Sequence, residues 1–399
     1  MKKLGIILII LMCMTSFVFA GGGKEKGSEE TEPAKTESKP AEPIKIGAIL
    51  AVTGGASFLG APEAKTAEMM VEEINAAGGL LGGRPIELII KDSAASPEKA
   101  ISFAKQLIEE EQVTAIIGPS TSGETMQIKE LCQKAGTPLI SCAAAEAIVE
   151  PVASYVFKSP QKDSYVVRWI YDTMKEMGIS KIGVVAANTG FGNAGKGQLE
   201  KYAPDMGIEI LIAETYDKGA TDLTSLLTKL KAQNVEAVVN WSIVPAQSIV
   251  PKNMRQLGME VPLFQSHGFG NIKYVEAAGE AAEGIIFPCG RLLVAEKLPD
   301  SNPQKEALVA YKTAYESKYG EDVSTFGGHA YDSLMIVVQA IKNAGSAERD
   351  AVRDAIEKIS GFPGTGGVFN FTAEDHNGLG MDSIVMLTVK NGEFELFTK

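Results

Sequence analysis

The chain has 399 residues, 45% of them hydrophobic and 22% charged, which suits two sizeable cores better than one. Its formal charge of −12 excludes the electrostatic footprint of a nucleic-acid binder or of polybasic membrane docking, since an acidic surface repels phosphate backbones and anionic lipid. Only three histidines are present, and no cysteine pair has metal or redox spacing, so metal-assisted chemistry has little material to work with.

The amino end predicts export. Lys2 and Lys3 precede an apolar stretch from Leu4 to Phe19, and Val18-Phe19-Ala20 offers a cleavage site after Ala20. Cys13 is an alternative lipidation point, although Leu11 and Met12 are bulky for that signal, and an uncleaved anchor stays open. The signal peptide thus spans 1–20 and the protein is extracytoplasmic or periplasmic. Residues 21–43 hold Gly, Lys, Glu, Ser, Thr, Pro and Ala with no larger apolar side chain, which predicts a disordered linker.

From Ile44 onward, short apolar runs alternate with amphipathic stretches. Lys45–Leu50 reads as a strand, followed by a loop over Thr53–Ser57 and a helix opened by Pro62 and ended by Gly78-Gly79. Ile86–Ile90 is the next strand. Ser96-Pro97 caps a helix bearing Ala100, Phe103, Ala104, Leu107 and Ile108 on one face. A strand at Val113–Ile117, a helix at Gly123–Ala135 and a strand at Pro138–Ile140 complete the first set. The pattern then repeats: a helix near Asp163–Met177, strands at Lys181–Ala186, Ile208–Ala213, Glu236–Asn240 and Pro262–Phe264, and helices near Gly195–Tyr202, Asp222–Ala232 and Gln247–Gln256.

Three later helices begin near Asn302, Gly327 and Glu348. Val368–Phe371 and Ile384–Lys390, then Asn391-Gly392 and Phe394–Phe397, read as a closing hairpin. Strand–helix alternation predicts right-handed crossovers and parallel sheets covered on both faces. The fold class is therefore α/β, with two doubly wound parallel-sheet lobes. The late elements are too few for a third lobe and must finish the first two, which puts chain crossings near Lys158–Lys162, near Ile286–Arg291 and within Gly361–Met381. Lobe I takes residues 44–158 plus about 290–372, and lobe II takes 159–289 plus about 373–399. A cleft between such lobes suits capture of a small molecule.

Several motifs need weighing. Gly190-Phe191-Gly192-Asn193-Ala194-Gly195 matches GxGxxG, and Gly190 to Lys196 begins a P-loop, but Gly197 stands where magnesium binding needs Ser or Thr. The simpler expectation is a flexible loop opening a helix at the cleft mouth. Ser120-Thr121-Ser122-Gly123 lies at a helix amino end, where unpaired N–H groups suit a carboxylate, although a plain helix cap gives the same pattern. Ser141 to Glu146 is a loop of small side chains through which a ligand could approach the backbone. Gly118-Pro119-Ser120-Thr121-Ser122 ends in Ser where a nucleophile elbow requires Gly, and no HExxH occurs, so no enzyme and no cofactor is expected. Cys132, Cys142 and Cys289 read as buried small hydrophobes.

Ile46-Gly47-Ala48, Thr53-Gly54, Gly60 and Ile74-Asn75-Ala76-Ala77-Gly78-Gly79-Leu80-Leu81-Gly82-Gly83 resemble the opening of the periplasmic leucine/isoleucine/valine-binding proteins. Ala115–Gly118, Ala278–Gly284 and Ala330-Tyr331-Asp332 extend the resemblance across about Ile44 to Lys399. It implies the type I periplasmic binding protein fold with a three-crossover hinge, and a monomer that closes over a small-molecule ligand and delivers it to the membrane permease subunits of an ABC importer. It puts the carboxylate-holding serine at Ser122 and the small-residue loop at Ala143, Ala144 and Ala145. Phe191, Trp241, Ile243 and Phe326 fall at the apolar end of the cleft.

Two departures bear on the ligand. The family's amino-acid binders commonly carry threonine where this chain has Ala145, and an acid for the ligand's ammonium where it has His267. An uncompensated ammonium in a closed cleft is costly. The ligand class therefore stays open between a branched-chain or hydrophobic amino acid and a related carboxylate. A ligand-sensing ectodomain for an aromatic carboxylate or amide is the alternative function.

Overall fold

The computed structural model describes residues 42–398. The signal segment expected over 1–20 and nearly all of the linker expected over 21–43 lie outside the described residues. No helix among those described is long and apolar enough to cross a membrane.

The first run of elements is β1 (Ile44–Leu50), α1 (Ser57–Ala76), β2 (Ile86–Asp92), α2 (Pro97–Lys105), β3 (Ala115–Ile117), α3 (Ser122–Ala135), β4 (Leu139–Ser141) and β5 (Val156–Lys158). The second is α4 (Asp163–Glu176), β6 (Lys181–Ala187), α5 (Gly190–Met206), β7 (Glu209–Tyr216), α6 (Thr224–Ala232), β8 (Ala237–Trp241), α7 (Ile249–Gln256), β9 (Leu263–Gln265), α8 (Ile272–Ala278) and β10 (Ile286–Cys289). The chain closes with α9 (Lys305–Tyr319), α10 (Thr325–Ala344), α11 (Arg349–Ile356), β11 (Phe362–Pro363), β12 (Val368–Phe369), β13 (Val385–Lys390) and β14 (Glu393–Leu396).

Two sheets organise these elements. One is wholly parallel in the order β2-β1-β3-β4-β5. Apart from the partly exposed edge strand β2, its strands are short runs buried on both faces. Ala67 and Met70 of α1 join Leu334, Val337 and Ile341 of α10 on one side, while Ala104 of α2 and Ile128 of α3 pack on the other. The second sheet runs β14-β13-β10-β9-β8-β6-β7, parallel from β10 to β7 and antiparallel at β13 and β14. Its core gathers Val166, Ile170, Leu199, Leu227, Val250 and Phe264. The α/β class with parallel sheets expected from the sequence is what the structure has.

Three local expectations give way. The helix expected to open at Pro62 starts at Ser57 and carries Pro62 inside it. Proline at that depth leaves the Phe58 carbonyl without its helical donor, and the Asn271 side chain supplies one at 2.9 Å. The loop expected over the glycines at 190–195 is the first turns of α5. Thr189 caps it by accepting from Gly192 N–H, and a Cβ on Gly192 or Gly195 would collide with the Ala187 carbonyl or the Trp241 ring. Those glycines serve close packing and not flexibility. Val368-Phe369 pairs with Phe362-Pro363, outside the closing hairpin. That hairpin is formed by β13 and β14 alone, around Asn391 and Gly392, both at positive φ.

Three passages of chain link the two sheets, and they brace one another. The first spans Ser159–Lys162, the second lies at Gly290, and in the third the packing changes core between Leu379 and Ile384. Asn377 donates to the Lys158 and Pro160 carbonyls at 3.3 and 2.7 Å, and Gln161 donates to the Gly366 carbonyl at 2.6 Å.

Candidate functional site

The carboxyl ends of β3 and β4 face those of β8 and β9, so the connecting loops of both sheets line one cleft, as open α/β sheets favour. On the first sheet, Thr121 caps α3: its hydroxyl accepts from Glu124 N–H and donates to the Glu124 carboxylate at 2.6 Å. That capping box frees the next residue, Ser122, whose Oγ accepts from Ala145 N–H at 3.2 Å. The loop after β4 is held from beneath. Ser141 Oγ accepts from Ala143 N–H, and Lys158 Nζ donates to the Ala144 carbonyl at 2.6 Å and to the Gln161 carbonyl at 2.9 Å.

On the second sheet, the N-terminus of α5 presents Phe191. The loop after β8 presents Ile243, whose carbonyl accepts from the Tyr274 hydroxyl at 2.7 Å. The turn after β9 is capped by Ser266 and presents His267. A Cβ on Gly268 would lie 2.4 Å from the Ser242 carbonyl, so these two loops touch only because residue 268 is glycine.

These loops enclose a cavity of about 20 Å³. It is lined by Ser122, Ala143, Ala144, Phe191, Ile243, His267 and Phe326 of the residues expected from the sequence. Two others stand behind it. Ala145 faces Ser122, and Trp241 backs the wall, its ring 5.8 Å from Phe191 and 5.7 Å from His267. Leu59, Pro160 and His329 also line the cavity and were not singled out from the sequence. His329 was legible as the residue three beyond Phe326 on one helix face. Leu59 and Pro160 carry no such signal.

The electrostatics are unusual for a buried site. Both ring nitrogens of His267, Nδ1 of His329, Oδ1 of Asp163 and Nε1 of Trp241 are buried without a hydrogen-bond partner. Burial, reinforced by the nearby Lys158 charge, drives His267 well below the usual imidazole range and His329 down to about 3. Lys158 and Asp163 are wholly buried. Burial pushes the lysine down and the carboxyl up, and their mutual attraction opposes both shifts. Asp163 Oδ1 lies 3.9 Å from His267 Nε2. Behind Ser120, Glu63 accepts that serine's hydroxyl and is pushed up to about 8 by burial. Among the described residues no cluster of His, Cys, Asp and Glu is disposed to hold a metal ion. The arrangement can bind a small polar group inside an apolar box.

The lobes also meet outside the cavity. Asn271 bonds to Phe58, the Phe58 and Tyr274 rings stand edge to face at 5.3 Å, and Thr325 N–H donates to the Gly270 carbonyl at 2.9 Å. A Cβ on Gly190 would lie 2.8 Å from Gly123 N, so the first turns of α5 and α3 abut.

A family model described as periplasmic binding protein matches residues 43–393. A leucine-, isoleucine-, valine-, threonine- and alanine-binding protein of Pseudomonas aeruginosa is 25% identical over 324 residues, covering 80% of this chain and 83% of that protein. An extracellular ligand-binding receptor of Rhodopseudomonas palustris HaA2 superposes with a TM-score of 0.84 at 27% identity, covering 90% of this chain and all of that one. The branched-chain amino acid transporter substrate-binding protein LivJ of Streptococcus pneumoniae, solved with isoleucine, gives a TM-score of 0.79 at 29% identity, with 89% of this chain and 98% of that chain covered.

Proposed function

The chain belongs to the periplasmic binding protein family, and we propose that it is the extracytoplasmic solute-binding component of an ABC importer, taking a small, partly hydrophobic amino acid or related carboxylate by hinge closure. One observation carries this reading: side chains of both lobes enclose one apolar cavity in which several buried polar atoms have no protein partner. Leaving each such atom unpaired costs about 1–3 kcal/mol, so a ligand that satisfies them gains affinity from groups already in place.

Ser122 and the backbone of Ala143 to Ala145 are the carboxylate end in this reading. Phe191, Ile243 and Phe326 pack the body of the ligand, Trp241 stiffens the wall, and His267 sets polarity. The cavity of about 20 Å³ has room for roughly one water, so a solute of amino-acid size enters with the lobes further apart and is then enclosed. A ligand touching both lobes binds the closed form better than the open one, which is what moves the equilibrium. The bound compound leaves chemically unchanged, handed to permease subunits that engage the closed shape.

A thermal-shift screen over amino acids, hydroxy acids, aromatic acids and amides tests this. A ligand at a hundred times its dissociation constant adds about 2.7 kcal/mol, a shift of several degrees. Silence across the whole collection, or turnover of any compound in it, defeats the proposal.

A further inference from the structure

His329 enters the cavity from α10 of one lobe and His267 enters from the other, and both are at least nine-tenths buried. Building on the solute-binding reading, we infer that this pair of imidazoles forms a hydroxyl-selective subsite across the cleft, with His329 as a specificity-determining residue. The solute it selects is a small hydrophobic carboxylate bearing a 2-hydroxyl where an amino acid bears its ammonium.

The argument runs through the neighbours of each ring. Asp163 Oδ1 has no hydrogen-bond partner of its own and lies 3.9 Å from His267 Nε2. A proton on Nε2 is drawn toward that carboxylate, which leaves His267 Nδ1 as an acceptor. Asp163 is otherwise engaged, because its second oxygen accepts Glu146 N–H at 3.3 Å and its charge faces Lys158. His329 Nδ1 has no partner, and the Lys158 charge lowers the ring's affinity for a second proton. It is a neutral ring with no protein partner to fix its tautomer, so it can turn its one N–H toward a ligand.

One acceptor and one donor facing a shared space suit a hydroxyl, which donates to the first and accepts from the second. An ammonium only donates, would sit in the field of Lys158, and finds no carboxylate among the residues lining the cavity. A bare methylene leaves both rings unpaired, and sites built to bond a hydroxyl reject analogues that lack one strongly.

The test uses three matched compounds on the full mature chain: 2-hydroxy-4-methylpentanoate, leucine and 4-methylpentanoate, each titrated calorimetrically. The hydroxy acid should bind at least about tenfold tighter than either relative. His329→Leu should erase its advantage over 4-methylpentanoate while leaving the affinity of the latter within about threefold, and His329→Gln, which keeps a donor, should restore part of it. Leucine binding tighter than the hydroxy acid overturns the inference, as does His329→Leu weakening all three equally, which marks a packing role. If none of the three binds but the broader screen finds a ligand with no hydroxyl, this inference falls and the solute-binding reading survives. If that ligand has a hydroxyl, it replaces the hydroxy acid in the same comparison with its deoxy analogue. If nothing binds at all, both fall.

Discussion

At the residue scale, the candidate site is built from side chains whose setting is fixed by close backbone contacts and by burial. Glu63 is the clearest test of that burial. Burial pushes its carboxyl up to about 8 in the folded protein, well above the ordinary glutamate range, so between those limits the folded state holds a proton that the unfolded state has released. Stability then falls as pH rises through that window, by up to about 1.4 kcal/mol per unit, and levels off above it. Glu63→Gln keeps an acceptor for the Ser120 hydroxyl and should flatten the slope in urea melts between pH 5 and 8; an unchanged slope would assign it to other groups. Gly195→Ala offers a second test, since its Cβ would lie 2.0 Å from the Trp241 ring. It should cost about 1–3 kcal/mol in the same melts. Ser122 and the alanine loop were legible in the sequence through resemblance, and Thr121 and Ser122 divide the work of cap and cleft in a way spacing could not separate. His329 was reachable only through Phe326, three residues before it, because a histidine between Gly328 and Ala330, on a helix buried nearly all round, gives no periodic signal of its own.

At the element scale, strands and helices were read from periodicity with most positions right and some ends wrong, and each error has a cause. Pro62 reads as a helix opener because proline is favoured in a first turn. The extra turn before it exists because another part of the chain accepts the defect it creates. Asn271→Asp keeps the oxygen that caps α8 by accepting Lys273 N–H but removes the donor to the Phe58 carbonyl, and should weaken ligand binding by about fivefold, the worth of roughly one net hydrogen bond, with little loss in the melting temperature of the ligand-free protein. Equal losses in both would mean that the bond serves folding and not closure. The glycines of α5 misled for the opposite reason. Glycine reads as flexibility in sequence, whereas here Gly190, Gly192 and Gly195 mark places where the helix presses on another helix, a carbonyl and a ring, and only Gly197 faces open space.

At the scale of the whole molecule, two parallel sheets were visible in the order of the elements, because strand–helix alternation leaves few topologies open. The assignment of the late helices to the first sheet and of the closing hairpin to the second was reachable only by counting elements. The pairing that decides it is non-local: β10 beside β13 spans about a hundred residues. Hinge closure predicts a change in global shape. Small-angle scattering should show a smaller radius of gyration with a bound solute than without, and curves that superimpose would exclude closure as the binding step.

The mutual bracing of the three connecting passages has a practical consequence for measurement. Parts close to such an axis barely shift when the molecule works, while parts at the far rim travel farthest, as with the free edge of a door. Lys65 and Lys273 line a surface groove between α1 and α8, and a dye pair placed beside them should therefore give a large change in energy transfer if the lobes close on loading as proposed. The same dyes beside Ser159 and Gly290 should report almost nothing, so one labelled protein can serve as the sensor and the other as its built-in blank.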